Sequence, residues 1–243
     1  MHPTHLIVVC CHGIWRGGPS KGADESEWLI APFQRGETGT FVRHAEEGVR
    51  RLAQSREDSI LIFSGGPTRR ETDTSEAQSY ASLAAHNAYW GLLAPPVTGD
   101  DVLLEERALD SYHNVLLGLT RYHGRFGAWP ASLTLVGHAF KRPRLEAHCA
   151  AIGYPLGRVA FAGIDPPGLD GDAATRDGAA RALAEWARDP HGRGPELAGK
   201  RRARNPWGAW QGVFGRGVED RGGLVTREEG EGETLVEDAP RPW

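Results

Sequence analysis

Short apolar runs alternate with amphipathic stretches through the first 168 residues. Residues 5–11 form a continuous apolar-rich run that predicts a buried strand, and 59–63, 102–105, 133–136 and 159–164 repeat that pattern. Between these runs the apolar positions recur at helical spacing. Phe41, Ala45, Val49 and Leu52 lie near a 3.6-residue period behind Thr40, which is placed to cap the helix. Ser75 and Gln78 have capping-box spacing at the start of a second helix. Tyr112, Val115, Leu116, Leu119 and Tyr122 share one face of a third, capped by Asp110 or Ser111. Pro143 fits the first turn of a fourth.

Strands that alternate with helices of this length imply right-handed crossovers and a mostly parallel sheet. The predicted fold is therefore α/β, a three-layer Rossmann-like sandwich on a mostly parallel five-strand sheet. After residue 168 the pattern changes. Residues 173–188 read as one more helix, whereas 189–243 hold no clear period. This tail is expected to wrap the core through Trp207, Trp210 and Phe214, with the acidic stretch 228–237 frayed. The expected organisation is a core at 1–168 and an extension at 169–243 packed on it, in a single domain.

Composition narrows the partners. A net charge of -4 gives no general attraction for nucleic acid or an anionic membrane, so any anion site has to be local. The strongest early apolar run, 6–11, is too short for a bilayer span or a signal h-region. Cys10, Cys11 and Cys149 lack metal spacing, and adjacent Cys10 and Cys11 on a strand point to opposite faces. They read as small apolar side chains in a reducing, cytoplasmic setting. The cofactor and the oligomeric state are open, and no metal-ligand spacing is present.

Candidate chemistry gathers where the predicted strands end, the edge at which α/β sheets bind ligands. Ser64-Gly65-Gly66 follows the second strand. Its glycines would let backbone amides approach a ligand, and Ser64 would orient a phosphate or carboxylate or act as a nucleophile; a purely geometric turn is the alternative. No GxSxG elbow surrounds Ser64, which weighs against a serine hydrolase. Glu76 opens a helix, where the dipole alone favours a carboxylate. Glu105 ends the third strand and needs a partner there. Lys141, Arg142 and Arg144 crowd the first turn of a helix, at the end where the dipole is already positive, which points to a bound anion or a nearby carboxylate. His138 is a candidate general acid or base, or a histidine bonded to a loop carbonyl. Asn114 is not needed for capping and is a site candidate. Glu76, Glu105 and Asp165 would hold a divalent ion only if folding brought them together.

Two patterns are set aside. Arg43-His44-Ala45-Glu46 is like a histidine-phosphatase signature but falls within a helix rather than directly after the first strand. The basic cluster at 200–204, beside Trp207 and Trp210, reads as a solvated loop rather than a nucleic-acid patch.

Six segments in order resemble the DUF218 family: the first strand ending at Gly13, Ser64-Gly65-Gly66, Ser75-Glu76-Ala77, Glu105, Ser111-Tyr112-His113-Asn114, and Val136-Gly137-His138-Ala139-Phe140-Lys141 followed by Arg144. The resemblance covers about residues 5–168. It implies a Rossmann-like fold and a site containing Gly13, Ser64, Gly65, Gly66, Glu76, Glu105, Ser111, Asn114, Lys141 and Arg144. His113 stands where the family usually has Glu, Ser111 replaces Thr, Gly137 a common Thr and Lys141 a common His. The longer form is similar to fungal-type members. Two functions of different classes are compatible: an enzyme for phosphoryl- or glycosyl-type transfer or hydrolysis on a small anionic or nucleotide-like substrate, with Glu105, His138 and Ser64 as catalytic residues and Asp165 near the ligand, or a non-catalytic binder of a nucleotide such as S-adenosylmethionine. A third is a scaffold that grips a partner with its Trp/Arg-rich tail.

Overall fold

Side chains along β1 (His5–Cys10) are buried on both sides, which is why its sequence does not alternate between apolar and polar. Leu6, Val8 and Cys10 pack into one apolar cluster, whereas Ile7 and Val9 pack into another on the opposite face. A computed structural model describes residues 2–168, 173–230 and 232–243. Residues 169–172, where the extension is expected to begin, and Glu231 in the acidic stretch lie outside the described residues. After β1 come β2 (Ile14–Trp15), β3 (Trp28–Leu29), α1 (Thr38–Gln54), β4 (Ser59–Ser64), α2 (Glu76–His86) and β5 (Val102–Glu105). The chain continues through α3 (Ser111–Phe126), β6 (Ser132–Gly137), α4 (Arg142–Ile152), β7 (Val159–Gly163), α5 (Ala173–Arg188), α6 (Pro195–Ala203), β8 (Thr226–Glu229) and β9 (Gly232–Leu235).

Five strands form one sheet in the order β5-β4-β1-β6-β7, and every pairing is parallel. Helices α1 and α2 cover one face, and α3 and α4 cover the other, with α5 against α4. This is the predicted three-layer α/β sandwich. The chain moves outward from β1 to β4 and β5, then returns to β6 on the other side of β1. That reversal opens a crevice at the carboxyl ends of β1 and β6. Register aligns those ends: Cys10 lies beside Ser64, and Ser64 beside Glu105.

Several local expectations change. Thr40 does not cap α1; the helix starts two residues earlier, and the Glu37 carbonyl accepts from the Thr40 and Phe41 amides. Ser75 does cap α2, accepting from the Gln78 amide, but the Gln78 side chain reaches Ser82 instead of closing the box. Asp110 rather than Ser111 caps α3, its Oδ1 accepting from the His113 amide at 2.8 Å. The tail is more ordered than its composition implies. Trp186, Leu197, Val213, Phe214, Leu224 and Leu235 join the apolar cluster under α3 and α4. The acidic stretch is not frayed: it forms most of the antiparallel β8–β9 hairpin, and Glu233 accepts from Thr226 and Arg221. Among the described residues no helix is long and apolar enough to cross a membrane.

Candidate functional site

At the carboxyl ends of β1 and β6 the chain leaves a cavity of about 470 Å³. Its floor is the β1 exit (Cys10, Cys11, His12) and Gly137-His138 of the β6 exit. The amino-terminal turns of α3 and α4 both face it, so two helix dipoles present their positive ends to the same space. Helix α6 closes the far side, and Phe33, 77% exposed, stands at the rim.

Charge in this cavity is unbalanced. Arg201 bonds Asp110 at 2.7 Å and Lys200 bonds Glu185 at 2.7 Å, so those pairs cancel. Lys141, Arg144, Arg204 and Arg69 also line the space, and among the described residues none of these four forms a salt bridge. The Nε atoms of Arg144 and Arg69 are buried without an acceptor. Among the described residues the Arg69 side chain donates only to the Gln34 side chain, and the Arg204 side chain only to the Leu109 carbonyl, at 3.0 and 3.3 Å. Burial, and then Arg144 beside it, pull the Lys141 amine down to about 7. An anion placed among these groups would restore its proton and satisfy the guanidinium donors. Arg142, the third cation of the turn, points away and pairs with Glu146 at 2.8 Å.

Glu76 is the remaining carboxylate of the cavity. It is held by the Thr68 hydroxyl at 2.7 Å, and burial raises its pKa against the opposing pull of that bond and of Arg204, Arg69 and Lys141. Ser111 and Asn114 also line the space. Ser111 bonds His148 at 2.9 Å, and the Asn114 carbonyl accepts from Ser64 at 3.0 Å.

The other expected residues lie elsewhere. Ser64 is fully buried and Glu105 only 2% exposed, and neither lines the cavity. The Ser64 hydroxyl is 2.9 Å from Glu105 Oε2, and Glu105 accepts the Arg107 and Ala108 amides. Glu105 therefore anchors the loop after β5, which accounts for its strand-end position without a catalytic role. The Gly65 and Gly66 amides do not face a ligand either. They donate to the Glu105 and Ala108 carbonyls, while their own carbonyls accept the first amides of α2. The Ser-Gly-Gly turn stitches β4 to the loop after β5 and aims Glu76. A Cβ on Gly65 would lie 2.8 Å from Glu76 Oε2, so glycine is required there by close approach. Gly13 packs under Ile30 and Phe41, and Asp165 accepts the Phe140 amide at 3.3 Å; both lie outside the cavity lining. Among the described residues Glu76, Glu105 and Asp165 do not assemble as a cation-binding group.

Three features escaped the sequence reading. The 200–204 cluster is mostly exposed, as expected, but it is the end of α6 rather than a loop: Arg201 pairs with Asp110, and Arg204 lines the cavity. Arg69, in the loop after the Ser-Gly-Gly turn, is the second unexpected cation. The third is a group of histidines. His138 Nδ1 is 3.1 Å from His12 Nε2, and the His44 ring stands edge-on to His138 with centroids 4.8 Å apart. His44 lies in the helical segment set aside above, and its Nε2 is 2.8 Å from the Ile164 carbonyl. Burial keeps all three rings neutral, with His44 lowered to about 3 and His138 to about 2. The only sequence signal was position: His138 directly follows β6, and His12 lies two residues past the end of β1.

Among known proteins, the uncharacterized Saccharomyces cerevisiae protein YOR238W is 29% identical, over a match that covers 67% of this chain and 68% of the yeast protein. No family model matches the chain. No solved structure matches it.

Proposed function

We propose that this protein is an enzyme acting on a small anionic, nucleotide-like substrate held at the carboxyl ends of β1 and β6, by phosphoryl- or glycosyl-type transfer or hydrolysis. The observation that carries the reading is a set of four basic side chains around one cavity, Lys141, Arg144, Arg204 and Arg69, none of which forms a salt bridge among the described residues, with two guanidinium Nε–H donors left buried and unsatisfied. Buried donors without acceptors are rare and expensive in a folded chain, and an oxyanion resolves both. The cavity volume is in the range of small-ligand sites, and Phe33 at the rim offers a ring face to a planar base. Glu76 is the proton-transfer group of this proposal, since it lines the cavity and burial raises its carboxyl toward the neutral form. The proposal includes a cytoplasmic location, supported by three buried free thiols.

One observation favours the second reading, a non-catalytic nucleotide binder. Ser64 and Glu105, the two groups best suited to covalent or acid–base work on sequence grounds, are sealed beneath the floor. Binding and turnover separate the two. Calorimetric titration with pyrophosphate, ADP and S-adenosylmethionine should give saturable binding to at least one, and the Lys141→Ala/Arg144→Ala double variant should weaken it by about 3 kcal/mol, roughly a hundredfold. Unchanged affinity in the double variant removes the anion role. Tight binding with no turnover on phosphoester or glycosyl substrates transfers the case to the binder.

A further inference from the structure

We propose that His12, His44 and His138 form a binding site for one divalent transition-metal ion of the zinc type, at the edge of the cavity. The site goes beyond the anion pocket and does not depend on it. Three elements deliver the rings: the exit of β1, the middle of α1 and the exit of β6. Each ring offers a nitrogen, and these nitrogens lie within 4.8 Å of one another. The ring centroids are 4.6, 4.8 and 5.6 Å apart.

A hydrogen bond orients the His44 ring as a metal site requires, and a carboxylate stands behind the His138 ring. The Ile164 carbonyl can only accept, so His44 Nε2 donates to it, and the neutral ring then carries its lone pair on Nδ1. That Nδ1 is buried and finds no donor. His138 Nε2 lies 3.4 Å from the Glu37 carboxylate, at ion-pairing distance but in no hydrogen bond, and is also buried. A carboxylate behind one ligand histidine and a carbonyl behind another are the outer contacts that fix ring tautomers at metal centres. The 3.1 Å between His138 Nδ1 and His12 Nε2 is close to the roughly 3.3 Å separating two nitrogens bound tetrahedrally to zinc. An all-imidazole donor set selects zinc, cobalt, nickel or copper over magnesium and calcium, which take oxygen ligands. His12 and His138 line the cavity, so a fourth coordination position opens toward the anion pocket, as in catalytic rather than structural sites.

The test is a titration of cobalt(II) chloride into the full chain after EDTA treatment, followed by visible absorption. The expected result is a d–d band saturating at one equivalent, abolished by zinc chloride and unaffected by excess magnesium chloride. His44→Asn and His138→Asn should each lower cobalt affinity by roughly 100-fold or more. Where either variant loses its far-ultraviolet circular dichroism, His12→Ala, at the half-buried ring, takes its place with the same expectation. A folded wild-type chain without the band, or variants that bind cobalt as tightly as wild type, overturns the site and leaves a core hydrogen-bonded histidine cluster. Pyrophosphate binding is measured separately on the EDTA-treated chain. Its failure counts against the anion pocket alone, and failure of cobalt binding counts against the histidines alone.

Discussion

Asp110 does two jobs with one carboxylate: Oδ1 caps α3 through the His113 amide, and Oδ2 bonds Arg201 at 2.7 Å. Desolvation opposes its charge, yet His113, Arg201 and these bonds together hold the carboxyl well below the usual aspartate range. A carboxylate depressed in the folded state stabilises it above the unfolded pKa and loses that contribution as pH falls. Asp110→Ala should therefore lower stability by about 2 kcal/mol at pH 7, the sum of a lost cap and a lost partly buried ion pair. The gap between variant and wild type should shrink as pH drops below about 4, as urea denaturation across pH would report. A constant gap would show that the cap works through geometry alone. At this scale the sequence was partly legible. Lys141 and Arg144 stood out because cations violate the preference of a helix start. Arg69 and Arg204 violate nothing locally and become visible only where the fold brings them to the same space.

The elements tell a sharper story of what a pattern can reveal. β1, β4 and β6 were readable because burial on both faces leaves unbroken apolar runs, and the half-buried edge strands β5 and β7 keep short runs of the same kind; α1 and α3 showed an apolar stripe, whereas α2 and α4 were marked by a capping serine and an early proline. Helix α6 buries only Leu197 among its nine residues, and β8 is a four-residue strand of Thr, Arg and Glu that is mostly exposed. Such elements owe their form to the surface they land on, so no periodicity announces them. The Ser-Gly-Gly turn is the opposite case, conspicuous in the sequence, where a ligand role and a purely geometric turn were both open. Its peptide groups bind backbone on both sides, and its side-chain-free surface admits Glu76. Gly65→Ala should then act through packing. The new Cβ would lie 2.9 Å from Glu76 Cβ and 3.1 Å from Cys11 Cβ, contacts that force the α2 start outward at about 1–3 kcal/mol in urea denaturation. Pyrophosphate affinity should change less than in the Lys141→Ala/Arg144→Ala variant, because the cations sit on other elements. A stable Gly65→Ala chain that has lost pyrophosphate binding would instead restore a direct ligand role to the turn.

Over the whole molecule, the residues after α5 complete the apolar cluster under α3 and α4. Phe214, Leu224 and Leu235 are each 3% exposed or less and belong to the same apolar cluster as α3 and α4. Arg107, beside the carboxylate that anchors the β5 loop, donates to the Gly212 and Phe214 carbonyls. A chain ending at residue 188 should consequently fail to give a folded monomer by circular dichroism and size-exclusion chromatography, since it uncovers that face. A well-folded truncated chain would revive the view of the tail as a detachable gripping segment.

That the cavity wall comes from α6 also sets an order of events during synthesis. Domains begin to fold from their amino-terminal side while still on the ribosome. The last sheet strand, β7, is made before α5 and α6, so Arg204 can join the pocket only after every sheet strand has been made. A nascent chain would thus hold its sheet strands while one side of the pocket and part of the apolar cover were still missing, and its ligand could not stabilise it before α6 had been made.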